Sequence, residues 1–409
     1  MSQKWPGGFI NKTAPTVVGP TDGEGGSASG IWTLDEVADY KQQGLWPLPA
    51  RDKKLFAWGQ NASGALGTGN TTSYSSPVQV GALVNWGQSL FVAINWAGSV
   101  KTDGTMWTWG SNSQSQLGTN NTTNYSSPVQ IGALTNWLNS AAGSYHSHHI
   151  KTDGTLWTWG RGAYGALGLG STTFYSSPVQ VGSLTTWLKI SCGYAFSIGI
   201  NTSGEMYAWG YNGYGYLGQG NTTNTSSPVQ VGSQTYWADV ACGQAHVLAT
   251  TTDGKLYAWG YNQQGAIGDG TGGAGTSKSS PVQVGALTTW SKVYASTRSS
   301  YAIKTDGTLW VWGKNDFGQL GVGNTTNYSS PVQVGGLTTW NKLGGGANHV
   351  LATNTANELY AWWYNGNYGQ LGDGTTVSKS SPIQIGSLTT WGELGRGNNG
   401  MNSLAILKS

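Results

Sequence analysis

Few residues in this chain are of types that do chemistry. Its 409 residues include five His, two Cys and 17 Asp or Glu. His146, His246 and His349 recur at one position of a repeated pattern, where the other copies carry Trp96, Phe196, Ser299 and Ser403. Imidazoles converging on one point would suit a metal through their neutral nitrogens. Exchange with Trp and Phe fits a buried packing role instead, so no metal is expected there or at His148 and His149. Cys192 and Cys242 are likewise equivalent residues in successive copies. They form either a cross-repeat disulfide, which needs Cα atoms about 5.5 Å apart, or two small buried side chains, the arrangement we expect. Asp103, Asp153, Asp253 and Asp306 each precede a Gly, which marks them as turn formers rather than general acids. With no Ser/His/Asp arrangement and no phosphate-binding loop in the spacing, neither a catalytic residue nor a cofactor is expected, and the chain does not read as an enzyme.

Tyrosines offer binding chemistry. Tyr211, Tyr261 and Tyr364 follow a W-G turn (W-W in the last case), where other copies carry Gln60, Ser111, Arg161 and Lys314. Such variation among internal copies is what a solvent-facing position allows. Tyr74, Tyr125, Tyr175 and Tyr328 precede the triplet S-S-P and stand among Asn and Thr. Aromatic faces beside amides and hydroxyls can stack on sugars and bond their rims, whereas packing within the loops is the plainer use. Both sets are candidate surface or glycan contacts.

The elements that position these residues follow from a period. The second Trp of a W/Y/F-x-W pattern falls at Trp58, Trp109, Trp159, Trp209, Trp259, Trp312 and Trp362. Steps are 50 or 51 residues, with one of 53 caused by a Gly-rich insertion at Gly272 to Gly275. Within a unit, "VQV", "WLKIS", "FSIGI" and "EMYAWG" read as four short strands separated by turn residues. Seven units of four strands predict a closed β-propeller. "SLAILKS" at the C-terminus aligns with the strand before an Asp-Gly turn, and "KKLFAWG" at Lys53 with the strand after it. Leu404–Lys408 should therefore pair with Lys54–Trp58, leaving no open edge in a propeller spanning residues 51–409.

Composition excludes several partners. A net charge of +3 without a dense Lys/Arg cluster argues against nucleic acid and anionic membranes. No apolar run approaches a membrane span or an export signal, so the chain reads as soluble, without membrane insertion. The 65 Gly, 22 Trp and 20 Tyr, against 9% charged residues, point to a core of rings and tight turns. The N-x-T sequons at Asn70, Asn121, Asn221 and Asn324 come from the repeat and are not read as glycosylated.

The repeat words resemble a known family. "WGKNDFGQLGVGNTTNYSSPVQV", "CGYAF" and "CGQAH" are similar to the RCC1 repeat, with its N-x-x-G-Q-L-G turn, Pro before Val, and C-G-x-x-H strand. The resemblance covers all seven units and implies an all-β, seven-bladed RCC1-like propeller. Eukaryotic members of the family act as nucleotide exchange factors and hold chromatin through a basic tail. Here the tail carries only Lys4, Lys12 and Lys41, and no long charged insertion separates the strands, so exchange activity is not expected.

Residues 1–50 differ in character. A Gly/Pro/Thr/Ser stretch leads to "IWTLDEVADYKQQGLWP", where Thr33 and Glu36 form a capping box and Gly44 ends a helix of about ten residues. Ile31, Trp32, Leu34, Val37, Leu45 and Trp46 supply apolar surface for docking, on the propeller's own flank or on a partner. The words "GGFINKTAPT" and "ASGIWTLDEVADYKQQGLWP" resemble the N-terminal stretch of virion proteins from marine tailed bacteriophages, especially those of cyanobacteria. That resemblance implies a docking arm for another virion protein. The expected function is a virion structural protein, a tail fibre or receptor-binding adhesion protein that meets a host-surface glycan or protein. Its alternatives are a head decoration protein and a non-virion RCC1-like regulator.

Overall fold

The computed structural model describes residues 52–397 and 399–408, with the backbone of Val17–Val18 and Ser27–Ala28. Those two short segments pair antiparallel with each other. The helix expected between Thr33 and Gly44, and the docking residues Ile31, Trp32, Leu34, Val37, Leu45 and Trp46, lie outside the described residues.

Seven four-stranded antiparallel sheets form the body of the chain. Blade 1 begins at Trp86–Ala93, and blades 2 to 6 begin at Trp137–Ala142, Trp187–Cys192, Trp237–Cys242, Trp290–Ala295 and Trp340–Gly345. Blade 7 combines Trp391–Leu394 and Asn402–Lys408 with Lys53–Gly59 and Tyr74–Gln79, in that order across the sheet. The ring thus closes between Asn402–Lys408 and Lys53–Gly59, as the alignment of "SLAILKS" with "KKLFAWG" predicts.

Each blade runs from a Trp-led inner strand to the outer strand carrying S-S-P. In blade 3, Trp187 lies opposite Asn201, and Phe196 opposite Gly210. This register sets two rims. The lower rim holds the first Trp of the inner strand and the Asp-Gly turn; the upper rim holds the W-G turn and the loops that follow it.

Indoles lock neighbouring blades. All seven second Trp residues are fully buried. Each Nε1 donates to a carbonyl of the preceding blade: Trp109 to Ala65, Trp159 to Gln116, Trp209 to Ala166, Trp259 to Tyr216, Trp312 to Ala266, Trp362 to Gln319 and Trp58 to Gln370, at 2.8 to 3.1 Å. The inner-strand Trp packs edge-on against it, as with Trp187 and Trp209 at 5.9 Å. Gly168, at φ +74°, lies so close that a Cβ would stand 2.9 Å from the Trp209 nitrogen. The repeat therefore requires Gly there both for its left-handed backbone and for ring contact.

The N-x-x-G loop is organised by a buried amide. Asn315 Oδ1 accepts from the Leu320 amide at 2.9 Å while its Nδ2 donates to the Asn324 carbonyl at 3.0 Å. Asn61, Asn112, Asn212, Asn262 and Asn365 repeat the first bond. Blade 2 departs from the pattern. Gly162 stands at that position, where a Cβ would meet the Thr173 carbonyl at 2.0 Å, and a short 3-10 turn, Ala163–Gly165, follows.

Candidate functional site

The upper rim of blades 2 to 5 carries an aromatic group. In blade 2, Tyr164 is 49% exposed and takes the left-handed backbone at φ +61°. That conformation costs a non-glycine residue about 1 kcal/mol or more and is sustained only by its surroundings. Its ring lies 4.8 Å from Tyr211 of blade 3. Tyr211 approaches Tyr216 at 5.7 Å, and Tyr214, also 49% exposed, lies 5.1 Å from Tyr261 of blade 4. Arg298 of blade 5 places its guanidinium 5.1 Å from the Tyr261 ring. At the other end, Arg161 faces Tyr145 at 5.8 Å and lines a cavity of about 80 Å³ with His146, Tyr164 and Tyr194.

A local substitution underlies the group. Tyr216 occupies the place of Gln116, Gln319 and Gln370, is nearly buried, and stacks on Phe196 at 5.2 Å. Burial raises its hydroxyl pKa, so it remains a neutral phenol. Tyr216 thus forms a floor on which Tyr211 and Tyr214 rest. Such a surface offers ring faces for stacking and two cations for hydrogen bonding.

Of the sequence candidates, Tyr211 and Tyr261 belong to this group. Tyr364 stands apart on blade 6, half-buried beside Gly366, and no ring contact links it to the others among the described residues. Tyr74, Tyr125 and Tyr328 are half-buried in their loops, their hydroxyls accepting from Asn70, Asn121 and Asn324 at 3.0 to 3.1 Å. Tyr175 is half-buried at the matching place, where Ser171 replaces the Asn. Sequence reasoning missed Tyr164, Tyr214 and Arg298. Its available signal was "RGAYG" and "YNGYGYL", loops in which Tyr interrupts the repeat's usual Asn, Gln and Gly.

The histidines act between blades. His146, His246 and His349 are buried, and each Nε2 meets a serine hydroxyl of the next blade: Ser197, Ser300 and Ser403, at 3.1, 2.9 and 2.7 Å. This pairing corrects the expected alignment at the C-terminus. Ser403 matches the serine partner, and Asn402 holds the histidine position. The backbone agrees, since Gln60 N donates to Met401 O as Arg161 N does to Tyr145 O. The cause is a longer loop, 395–401, ahead of that strand.

Desolvation lowers the imidazole pKa values, to about 4 for His146 and about 3 for His246 and His349. His148 Nε2 bonds the Ala166 carbonyl at 3.0 Å. His146, His148 and Cys192 have ligand-type atoms within 4.8 Å of one another, the grouping with metal-binding chemistry among the described residues. A metal there would have to ionise a thiol whose pKa burial raises to about 12. Cys192 and Cys242 are both buried and titrate as thiols, Cys242 also raised by desolvation.

Comparison with known proteins agrees with this architecture. Residues 183–403 match the model described as RCC1-like domain, more than half of the chain. The chain belongs to the RCC1-like domain family. Residues 52–88, 103–149 and 153–200 match the Regulator of chromosome condensation (RCC1) repeat. Among solved structures, this RCC1-like propeller is similar to human WBSCR16, at 20% identity and a TM-score of 0.78, over 88% of this chain and 100% of that one. It is also similar to Prp20p of Saccharomyces cerevisiae, at 18% identity and a TM-score of 0.75, over 88% and 92% of the two chains. At those identities the likeness concerns the fold.

Proposed function

We propose that this RCC1-like propeller is a non-catalytic binding protein displayed on a bacteriophage particle. Residues 1–50 dock to another virion protein, and the aromatic rim meets a host-surface glycan or protein. The observation that carries the binding role is the Tyr164, Tyr211, Tyr214 and Tyr261 group, whose rings remain accessible although one of them is held in a costly backbone conformation. The virion placement rests on the likeness of "GGFINKTAPT" and the segment from Ile31 to Pro47 to phage docking arms. In this reading residues 1–50 and 51–409 are separate domains, a docking arm and a displayed body.

Two experiments test the two halves. Purified particles should contain the full chain and lose it when residues 1–50 are deleted. The Tyr211→Ala/Tyr214→Ala double variant should lose adsorption to host cells while still entering particles. A chain absent from particles in both forms would leave a free protein-interaction module. The similar yeast protein Prp20p, which binds Gsp1p and histones, favours that second reading. Retention of adsorption in the double variant would remove the aromatic rim from the account.

A further inference from the structure

The central channel holds a second site, independent of the aromatic rim and on the opposite side of the body. Inner strands line a cavity of about 400 Å³. Residues 395–397 and 399–400, in the long loop of blade 7, cross its upper end. Gly397 O accepts from the Tyr294 hydroxyl of blade 5 at 2.9 Å, and Asn399 Nδ2 donates to Ser144 Oγ of blade 2 at 2.9 Å. Gly400 O accepts from Ala347 N of blade 6, and Arg396 N donates to Leu90 O of blade 1. One short segment therefore touches blades on several sides of the channel, leaving a recess that opens at the lower rim.

Charge gathers in that recess. Two positions beyond the inner-strand Trp, the blades present Asn139, Lys189, Asp239, Lys292, Lys342 and Glu393, with Ser89 at the corresponding place in blade 1. Lys189 pairs with Asp239 at 2.8 Å, and Lys342 with Glu393 at 2.5 Å. Lys292 bonds only neutral oxygens, the carbonyl and Oδ1 of Asn341 at 2.7 and 2.8 Å. Arg396 donates its Nε to the Leu343 carbonyl at 3.2 Å. Among the described residues neither Lys292 nor Arg396 has a carboxylate partner, so the two acids leave two of the four cations uncompensated. Burial first, and then the charges of Lys342 and Arg396, hold the Lys292 pKa below its usual value. A bound anion would relieve that repulsion.

We propose that the recess binds a free, compact oxyanion of the phosphate or polycarboxylate class, held between Lys292 and Arg396. Arg396 supplies a planar fork and Lys292 a point charge, a combination suited to carboxylate or phosphoryl oxygens. Lys189 and Lys342 are neutralised by Asp239 and Glu393, so the net attraction comes from Lys292 and Arg396.

Calorimetric titration of the full chain at low ionic strength, with inorganic phosphate and with citrate as probes, tests the assignment. One molecule of at least one probe should bind per chain. Lys292→Met and Arg396→Gln should each weaken binding about tenfold. Asp239→Asn, which removes a negative charge from the mouth, should tighten it. Circular dichroism checks that each variant is folded, and Lys292→Met keeps the test valid if Arg396→Gln disturbs the capping segment. Equal affinity across the variants, or no binding of either probe, would overturn the site. Binding of a hexaglutamate peptide but of neither small anion would overturn the free-anion assignment and give the recess to a partner's acidic segment.

Discussion

The Trp58 indole donates to the Gln370 carbonyl at 2.9 Å, joining residues 312 positions apart in the chain. The same bond recurs at the other six blade boundaries between residues only 43 to 46 positions apart. One local contact therefore serves both as a repeat-to-repeat link and, at a single boundary, as the clasp of the ring.

Trp209→Ala removes one such link and leaves the Ala166 carbonyl without its indole donor. Stability should fall by about 3 to 5 kcal/mol, the range for truncating a large buried ring. Chemical denaturation reads the change, and an unchanged midpoint would contradict the packing role.

Deleting Leu404–Ser409 strips Lys53–Gly59 of its inward neighbour and exposes a strand edge. The product should aggregate or lose its cooperative transition. A monomer of full stability by light scattering and calorimetry would refute closure through this strand.

Asn315→Ala deletes the acceptor of the Leu320 amide and the donor to Asn324. A buried amide left unpaired costs about 1 to 3 kcal/mol. The melting temperature should fall, and hydrogen exchange at Leu320 should accelerate selectively.

Acid should weaken the propeller before the carboxylates titrate. Burial holds His246 and His349 at about 3 and His146 at about 4, against an ordinary imidazole value near 6.5. The unfolded chain takes up more protons than the fold between those values. The contribution of neutral histidine is therefore complete above about pH 6.5 and is lost as pH falls toward 3, at roughly 1 kcal/mol per pH unit for each ring. Asp153 and Asp306 accept from the hydroxyl and amide of Thr155 and Thr308, which hold their carboxyls below the usual range, so they add their own loss in stronger acid. Urea midpoints should drop between about pH 7.5 and pH 4.5, and a flat profile would oppose neutral inter-blade histidines.

Tyr164→Gly should leave stability unchanged or raise it, because glycine adopts φ +61° without steric cost. Tyr164→Val should lower it, because a β-branched residue tolerates that backbone less well than tyrosine does. Parallel melts of the two variants separate backbone strain from ring packing.

Much of the fold was legible because the repeat writes local rules seven times. Trp58 through Trp362 set the period, and the Asp-Gly turns set the hairpins. The equivalence of "SLAILKS" with a strand preceding such a turn predicted the closure. The aromatic site was only half legible. Tyr211 and Tyr261 stood out by varying at a repeat position, whereas Tyr164 depends on the absence of an Asn at Gly162, a change that re-routes one loop. The channel recess was not legible. Its charges come one per blade, about fifty residues apart, and meet only when the ring is closed. The extra residues before Asn402 hid both the capping segment and the correct position of Ser403.

Blade 7 also imposes a schedule on synthesis. Lys53–Gly59 and Tyr74–Gln79 emerge first, but their inner neighbours, Trp391–Leu394 and Asn402–Lys408, follow some 330 residues later. At roughly 5 to 20 residues per second, the early hairpin waits tens of seconds with a bare edge. The inner strands of the other six blades can meanwhile pair with their own neighbours. The nascent chain thus becomes an incomplete ring whose last gap is filled only when Asn402–Lys408 emerges, and any ribosome that stops before that strand releases a molecule with an adhesive edge.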